Sequence, residues 1–283
     1  MPAENLEPTP FRVESSGIEL AGESVGEGTP VVLLHGVSAT RRYVVHGSNA
    51  LPRRGYEQIS YDARGHGDSD APPADGGYDY RELAADLGRV LETRSIEHPV
   101  LAGHSMGCHT AATYALDHPD EIMGAVFIGP VQLGLPAPEE ILESWDRLAE
   151  GLERGGVDGF MEVYEQQLGA DPGWHERVLR FTRERMALHR HPEAVARAFR
   201  ELPRSVPFDG MTELESLDIP ALVVASRDEA DPGHPYAIGE AWAESLPDAS
   251  FVTEEPGNAP FAWQGGKLAR EIADFAERIR SSR

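Results

Sequence analysis

The 283-residue chain has one cysteine, Cys108, and one lysine, Lys267. A lone thiol can form neither an internal disulfide nor a multi-thiolate metal centre, so disulfide scaffolds, zinc ribbons and CxxC redox chemistry are excluded. A lone amine, in what reads as the last helix, leaves no lysine for a phosphate-binding glycine loop or for Schiff-base chemistry. Basic charge is scarce in general: 25 Lys and Arg stand against 48 Asp and Glu, a net charge of −23. That field repels phosphate backbones and anionic headgroups, which argues against nucleic acid and membrane surfaces as partners. Long apolar runs are missing too. No stretch approaches the span of a membrane helix, and Met1–Pro10 is acidic and proline-bearing, unlike a signal peptide. The expectation is a cytoplasmic protein that takes a small-molecule substrate and uses no metal and no cofactor.

What is present is ordinary globular material. Hydrophobic residues make up 40% of the chain, with 29 Gly and 22 Pro, and this length can bury a sizeable core. Phe11–Glu14 and Ile18–Val25 read as an antiparallel opening around a Ser16-Gly17 turn. Val31–Leu34, Glu57–Tyr61, Pro99–Ala102 and Ala125–Ile128 are compact runs that stop at turn residues. Helical patterns lie between them, clearest at Tyr80–Glu92 and Gly107–Leu116. Short apolar strands separated by helices specify a parallel sheet covered on both faces. From Val131 to Asp218 no strand-like run occurs. Helical stretches at Pro138–Glu153, Val157–Leu168, Pro172–Leu188 and Pro192–Leu202 fill a span too long for a simple connection. Alternation then resumes with Ala221–Ala225, Pro235–Leu246, Ser250–Thr253 and Gln264–Ile279. The expected architecture is α/β: a mostly parallel, doubly wound sheet from residues 1–130 and 219–283, with residues 131–218 as a helical cap.

Gly103-His104-Ser105-Met106-Gly107 forms a G-x-S-x-G motif between an apolar run and a helical pattern. That strand–turn–helix setting is what a nucleophile elbow requires. A tight turn that lifts a serine Oγ off the sheet edge leaves no room for Cβ atoms on either side, which explains the glycines. Ser105 is therefore the candidate nucleophile, against the plainer reading of a surface serine in a glycine turn. His35-Gly36-Val37 ends the Val31–Leu34 run. In elbow architectures an amide of this loop pairs with the amide after the nucleophile to bind an oxyanion, so the N–H groups of Val37 and Met106 are the candidate donors. The His35 imidazole is read as a backbone ligand, and Asp62–Ser69 as a structural turn.

These segments together resemble the α/β-hydrolase superfamily over nearly the whole chain. The likeness rests on His35-Gly36 after the third strand, the Asp62–Ser69 turn after the fourth, the Gly103–Gly107 elbow, the helical insertion and the late strands. It implies a serine nucleophile, an acid after the strand that follows the cap, and a histidine after the last strand. Serine at the elbow departs from family members that use Asp there. In the acid loop, counting from the strand favours Asp228. Counting back from the next helix favours Asp231, the preferred candidate. The last loop breaks the pattern: Glu255-Pro256-Gly257-Asn258 puts Asn258 where the resemblance implies the base, and none of the 11 His lies beyond His234. An amide cannot take a proton near neutral pH.

Three explanations stand. The base has moved to His234, oriented by Asp228, Asp231 or Glu255. Alternatively, the protein is a non-catalytic or degenerate binder that kept the elbow. The third is a His-to-Asn variant made to trap a complex. The expected activity is serine hydrolysis of a carboxylic ester or lactone of a small, mostly apolar substrate, with C–C bond hydrolysis as a further alternative. Other candidates carry less. His189-Arg190-His191 lacks the spacing and carboxylates of a metal site, and Cys108 reads as a small buried residue. Arg41 and Arg42 could greet a substrate carboxylate or simply open a solvated helix. Tyr164, Trp174 and Phe181 read first as cap packing.

Overall fold

The computed structural model describes residues 6–73 and 77–281. Eight strands, β1 (Thr9–Ser15), β2 (Ile18–Val25), β3 (Thr29–Leu34), β4 (Tyr56–Tyr61), β5 (Val100–His104), β6 (Gly124–Ile128), β7 (Pro220–Val224) and β8 (Asp248–Val252), form one sheet in the order β1-β2-β4-β3-β5-β6-β7-β8. β1 and β2 pair antiparallel, as does β2 with β4, and every later pair is parallel. The mostly parallel α/β sheet read from the sequence is the one observed.

Alternation along the central strands explains why they form. Val32, Leu34, Leu101, Ala125, Phe127, Ala221 and Val223 feed one core cluster; Val31, Leu33, Val100, Ala102, Val126, Ile128, Leu222 and Val224 feed a second on the opposite face. Helices α1 (Tyr80–Thr93), α2 (Met106–Asp117) and α7 (Tyr236–Ser245) cover the first face through residues such as Leu87, Ala111 and Trp242. Helix α8 (Gly265–Ser281) covers the second through Leu268, Ile272 and Phe275. No helix among the described residues is long and apolar enough to cross a membrane.

Between β6 and β7 lie α3 (Glu139–Gln167), α4 (Pro172–Met186), α5 (Pro192–Glu201) and α6 (Gly210–Glu215). α3 is interrupted where the sequence separated two helices: Gly156 takes φ +59°, beside a non-helical Gly155. Leu148, Leu152, Phe160, Val195 and Phe199 give this insertion a core of its own. α6 had no counterpart in the sequence reading, being a single short turn of helix. Phe208, Leu214 and Leu217, around it, pack into the sheet's core beside Trp242.

The loops at the carboxyl ends of the strands are held by buried charge. Asp62, wholly buried after β4, accepts the Arg41 backbone N–H at 2.7 Å and the Asp68 N–H at 2.9 Å, and pairs with the Arg41 guanidinium. Ser69 Oγ donates to the Asp62 carbonyl and accepts from Ala21 N–H. Arg64 chelates Asp86 at 2.7 and 2.8 Å. The Asp62–Ser69 segment is thus the structural turn expected. Arg41 is not a solvated cation but bonds Asp62, Glu23 and Asp68, while Arg42, exposed, bonds Glu23 at 2.8 Å. The carboxylates that claim them come from strands and turns distant in sequence. Removing one member of such a buried pair leaves the other charge uncompensated. Asp62→Ala should cost about 3–5 kcal/mol of unfolding free energy, measured by urea titration.

Candidate active site

Ser105 sits between β5 and α2 with φ +54° and ψ −114°, a backbone conformation that a side-chain-bearing residue rarely adopts. Its N–H donates to Ile128 O at 2.9 Å, so the neighbouring strand holds the turn. A Cβ on Gly103 would collide with the Gly107 carbonyl, and one on Gly107 with the Leu34 carbonyl. Both glycines are therefore required by close backbone approach, as the motif implied. The Ser105 hydroxyl makes no protein hydrogen bond among the described residues.

The loop after β3 lies directly against this elbow. A Cβ on Gly36 would stand 3.3 Å from Ser105 Cβ and 3.2 Å from His104 Nδ1. His35 accepts the Ala63 N–H at Nε2, 2.9 Å, which fixes the proton on Nδ1, 2.8 Å from Gly36 O. Its imidazole is a backbone ligand, as read from the sequence, and burial lowers it to about 4. The His66 ring bridges the Arg64 and Val37 carbonyls, each at 2.8 Å. The Val37 N–H belongs to the Gly36–Val37 peptide, whose carbonyl is held by the His35 ring and the Ala39 N–H, and Gly36 lies against Ser105. Met106 is the first residue of α2, whose opening N–H groups have no partner within the helix.

The two acid candidates separate. Asp228 is exposed and accepts the Tyr236 N–H at 2.8 Å, fixing the start of α7. Asp231 Oδ1 lies 2.9 Å from His234 Nδ1, and the His234 N–H donates to Asp231 O at 3.1 Å. One four-residue turn, Asp231-Pro232-Gly233-His234, thus delivers both side chains; proline at its second position presets the bend. The His234 ring packs 4.8 Å from the His104 ring, centroid to centroid, and 3.2 Å from where a Gly129 Cβ would be. His104 immediately precedes Ser105. Nδ1 being engaged, Nε2 is the nitrogen of His234 free of protein partners among the described residues. Burial pushes Asp231 upward, but its pairing and hydrogen bond with His234, with smaller contributions from His104 and Arg185, more than offset it, so its carboxyl lies below the ordinary range.

The remaining candidates lie elsewhere. Asn258 and Glu255 are exposed, in a turn closed by Asn258 N–H to Glu255 O at 3.1 Å. Cys108 is fully buried and its thiol is pushed well up by burial. His189 accepts the Gly67 N–H at 3.1 Å and packs on the His66 ring, joining the helical insertion to the Asp62–Ser69 turn. Tyr164 stacks on Phe160 inside the insertion, while Trp174 and Phe181 pack edge-on against Trp263. His104 was missed as a site residue. It shares its motif position with any small or polar residue, and only the fold brings it to His234. His104, Asp231 and His234 place nitrogen and oxygen donors within 4.8 Å of one another, the one such group among the described residues.

Burial depresses His104 and His109 to about 3, as it does His35 to about 4. All three fold as neutral rings, whereas the unfolded chain protonates them near 6.5. Protons therefore favour the unfolded chain below that value. Stability should be fully present above pH 6.5 and fall as pH drops through 4, by up to about 1.4 kcal/mol per pH unit per ring. Thermal melts from pH 8 to pH 4 check this.

A family model described as alpha/beta hydrolase fold matches residues 29–264. The chain is 39% identical over 101 residues to the AB hydrolase superfamily protein YisY of Bacillus subtilis (strain 168), across 36% of this chain and 37% of the relative. It is 26% identical over 280 residues to the non-heme chloroperoxidase CPO-A1 of Kitasatospora aureofaciens, across 94% of this chain and 98% of that one. A thermophilic esterase from Thermogutta terrifontis, solved with malate bound, superimposes with a TM-score of 0.79 at 26% identity, covering 96% of this chain and 99% of that one. The chain spans about a third to a half of the length of the curated relatives it matches first.

Proposed function

Because the chain belongs to the alpha/beta hydrolase fold family, we propose that it is a serine hydrolase cleaving a carboxylic ester or lactone of a small, mostly apolar substrate through an acyl-enzyme. The observation that carries this reading is the Asp231–His234 pair, 2.9 Å apart and packed against the residue that precedes Ser105. Likeness to an esterase over almost its whole length supports the reaction class.

In this mechanism Ser105 Oγ attacks the carbonyl carbon while His234 Nε2 takes its proton. Asp231 holds the other ring nitrogen and stabilises the imidazolium that forms. The Val37 and Met106 amides receive the oxyanion, the second reinforced by the N-terminal end of α2. His234 then returns the proton to the departing alcohol, or to the ring-opened hydroxyl of a lactone. A water activated by the same imidazole releases the acyl group. The helical insertion between β6 and β7 acts as the cap that covers the site.

A fluorophosphonate probe should label the wild type and not Ser105→Ala. Turnover of p-nitrophenyl butyrate should fall about a thousandfold or more in Ser105→Ala and His234→Ala, and about a hundredfold or more in Asp231→Asn. Asn258→His should bring no gain. Loss with Ser105→Ala but full activity in His234→Ala would remove the relocated base. No labelling of any form would favour the non-catalytic binder.

A further inference from the structure

Arg185, part-buried, makes no ion pair with an acid among the described residues. It lies near the end of α4, on the face that also carries Trp174, Val178, Phe181 and Thr182, since steps of three and four residues stay on one side of a helix. That face looks onto the crown of loops over the sheet. Trp174 and Phe181 meet Trp263 with ring centroids 5.5 and 6.1 Å apart, and His46 Nε2 lies 2.8 Å from the Ala262 carbonyl of the same segment. The Arg185 Nε is buried and has no hydrogen-bond partner. Nη2 donates to Thr182 Oγ1 within its own helix, at 3.2 Å. No carboxylate among the described residues lies within ion-pair distance, although the chain carries 48 of them.

Several groups from separate loops feel this charge. For His46, His104 and His189 burial is the larger cause of a lowered affinity for protons, and Arg185 adds to it. On Asp231 it works with His234 and His104 against burial. His46, His104 and Asp231, from three separate segments, thus share the field of Arg185. The guanidinium also decides between two ligands for this region. A divalent cation held by His104, Asp231 and His234 would meet an unpaired positive charge and pull Asp231 from His234. An anion would supply the partner that Arg185 lacks.

We propose that Arg185 is the specificity residue for an acyl substrate bearing one free carboxylate, which its guanidinium receives while Ser105 attacks the scissile carbonyl. This rests on the hydrolase reading for its catalytic half and refines it. The substrate body remains apolar, and the single charge is read locally, inside a protein whose overall field turns polyanions away.

The test pairs mono-p-nitrophenyl adipate, which carries the carboxylate, with p-nitrophenyl hexanoate, which has the same six acyl carbons and no charge. Wild type should favour the adipate in kcat/KM, mainly through KM, and Arg185→Gln should lower that ratio about tenfold or more, with Arg185→Lys between them. Adipate itself, titrated calorimetrically, should bind wild type about tenfold or more tighter than Arg185→Gln, at matching melting temperatures. A ratio unchanged within twofold, or adipate that fails to bind wild type or binds both forms alike, would overturn the proposal. If neither ester is cleaved and the fluorophosphonate probe does not label, the hydrolase reading fails by itself. Arg185-dependent adipate binding would then still establish the anion subsite.

Discussion

Helix α2 meets strands β3 and β5 at backbone distance, and the site follows from that contact. Only glycine at 103 and 107 permits it, because any Cβ there would enter the Gly107 or Leu34 carbonyl. The approach forces Ser105 into its positive φ, a local cost of about 1–3 kcal/mol that the surrounding packing sustains. It also puts the first amide of α2 beside the Gly36-Val37 loop, which continues from the same Leu34. Ser105, the helix terminus and the neighbouring loop are therefore not three placements. They are consequences of one contact between a helix and the strands beneath it.

Around this contact the loops are fixed by groups that do no chemistry. His35 and His66 bind backbone, and Asp62 gathers Arg41 and the N–H of Asp68. These groups are nearly all buried, so each had to be satisfied within the protein. The strongly negative surface hides a different interior. Arg41 and Arg64, near the strand ends, are spent on buried carboxylates, and Arg185 is not.

The sequence made the sheet legible because its strands are short apolar runs ending at Gly, His or Asp, and because alternation along each run feeds two covered faces. The elbow was legible because its steric demand is local and written in two glycines. Loop counting left the proposed acid open between Asp228 and Asp231, since it cannot say which side chain turns toward His234. Asp228 was withdrawn by a helix start that needed a cap. The surroundings of His104 and Arg185 were not legible at all. They come from contacts across the fold, and four arginines in α4 look alike in sequence. The short α6 escaped because six residues carry too little periodicity to register.

Asp231 and His234 belong to the same turn, three positions apart in the chain. An acid and a base carried on different strands depend for their alignment on how those strands are spaced and stacked. Here covalent geometry sets it. If the loop after β7 shifts, the pair travels as one rigid implement, its mutual hydrogen bond intact, and only the gap to Ser105 opens or closes. For the proposed base, readiness and reach become separable properties, the first owned by four residues and the second by whatever seats that loop over the elbow.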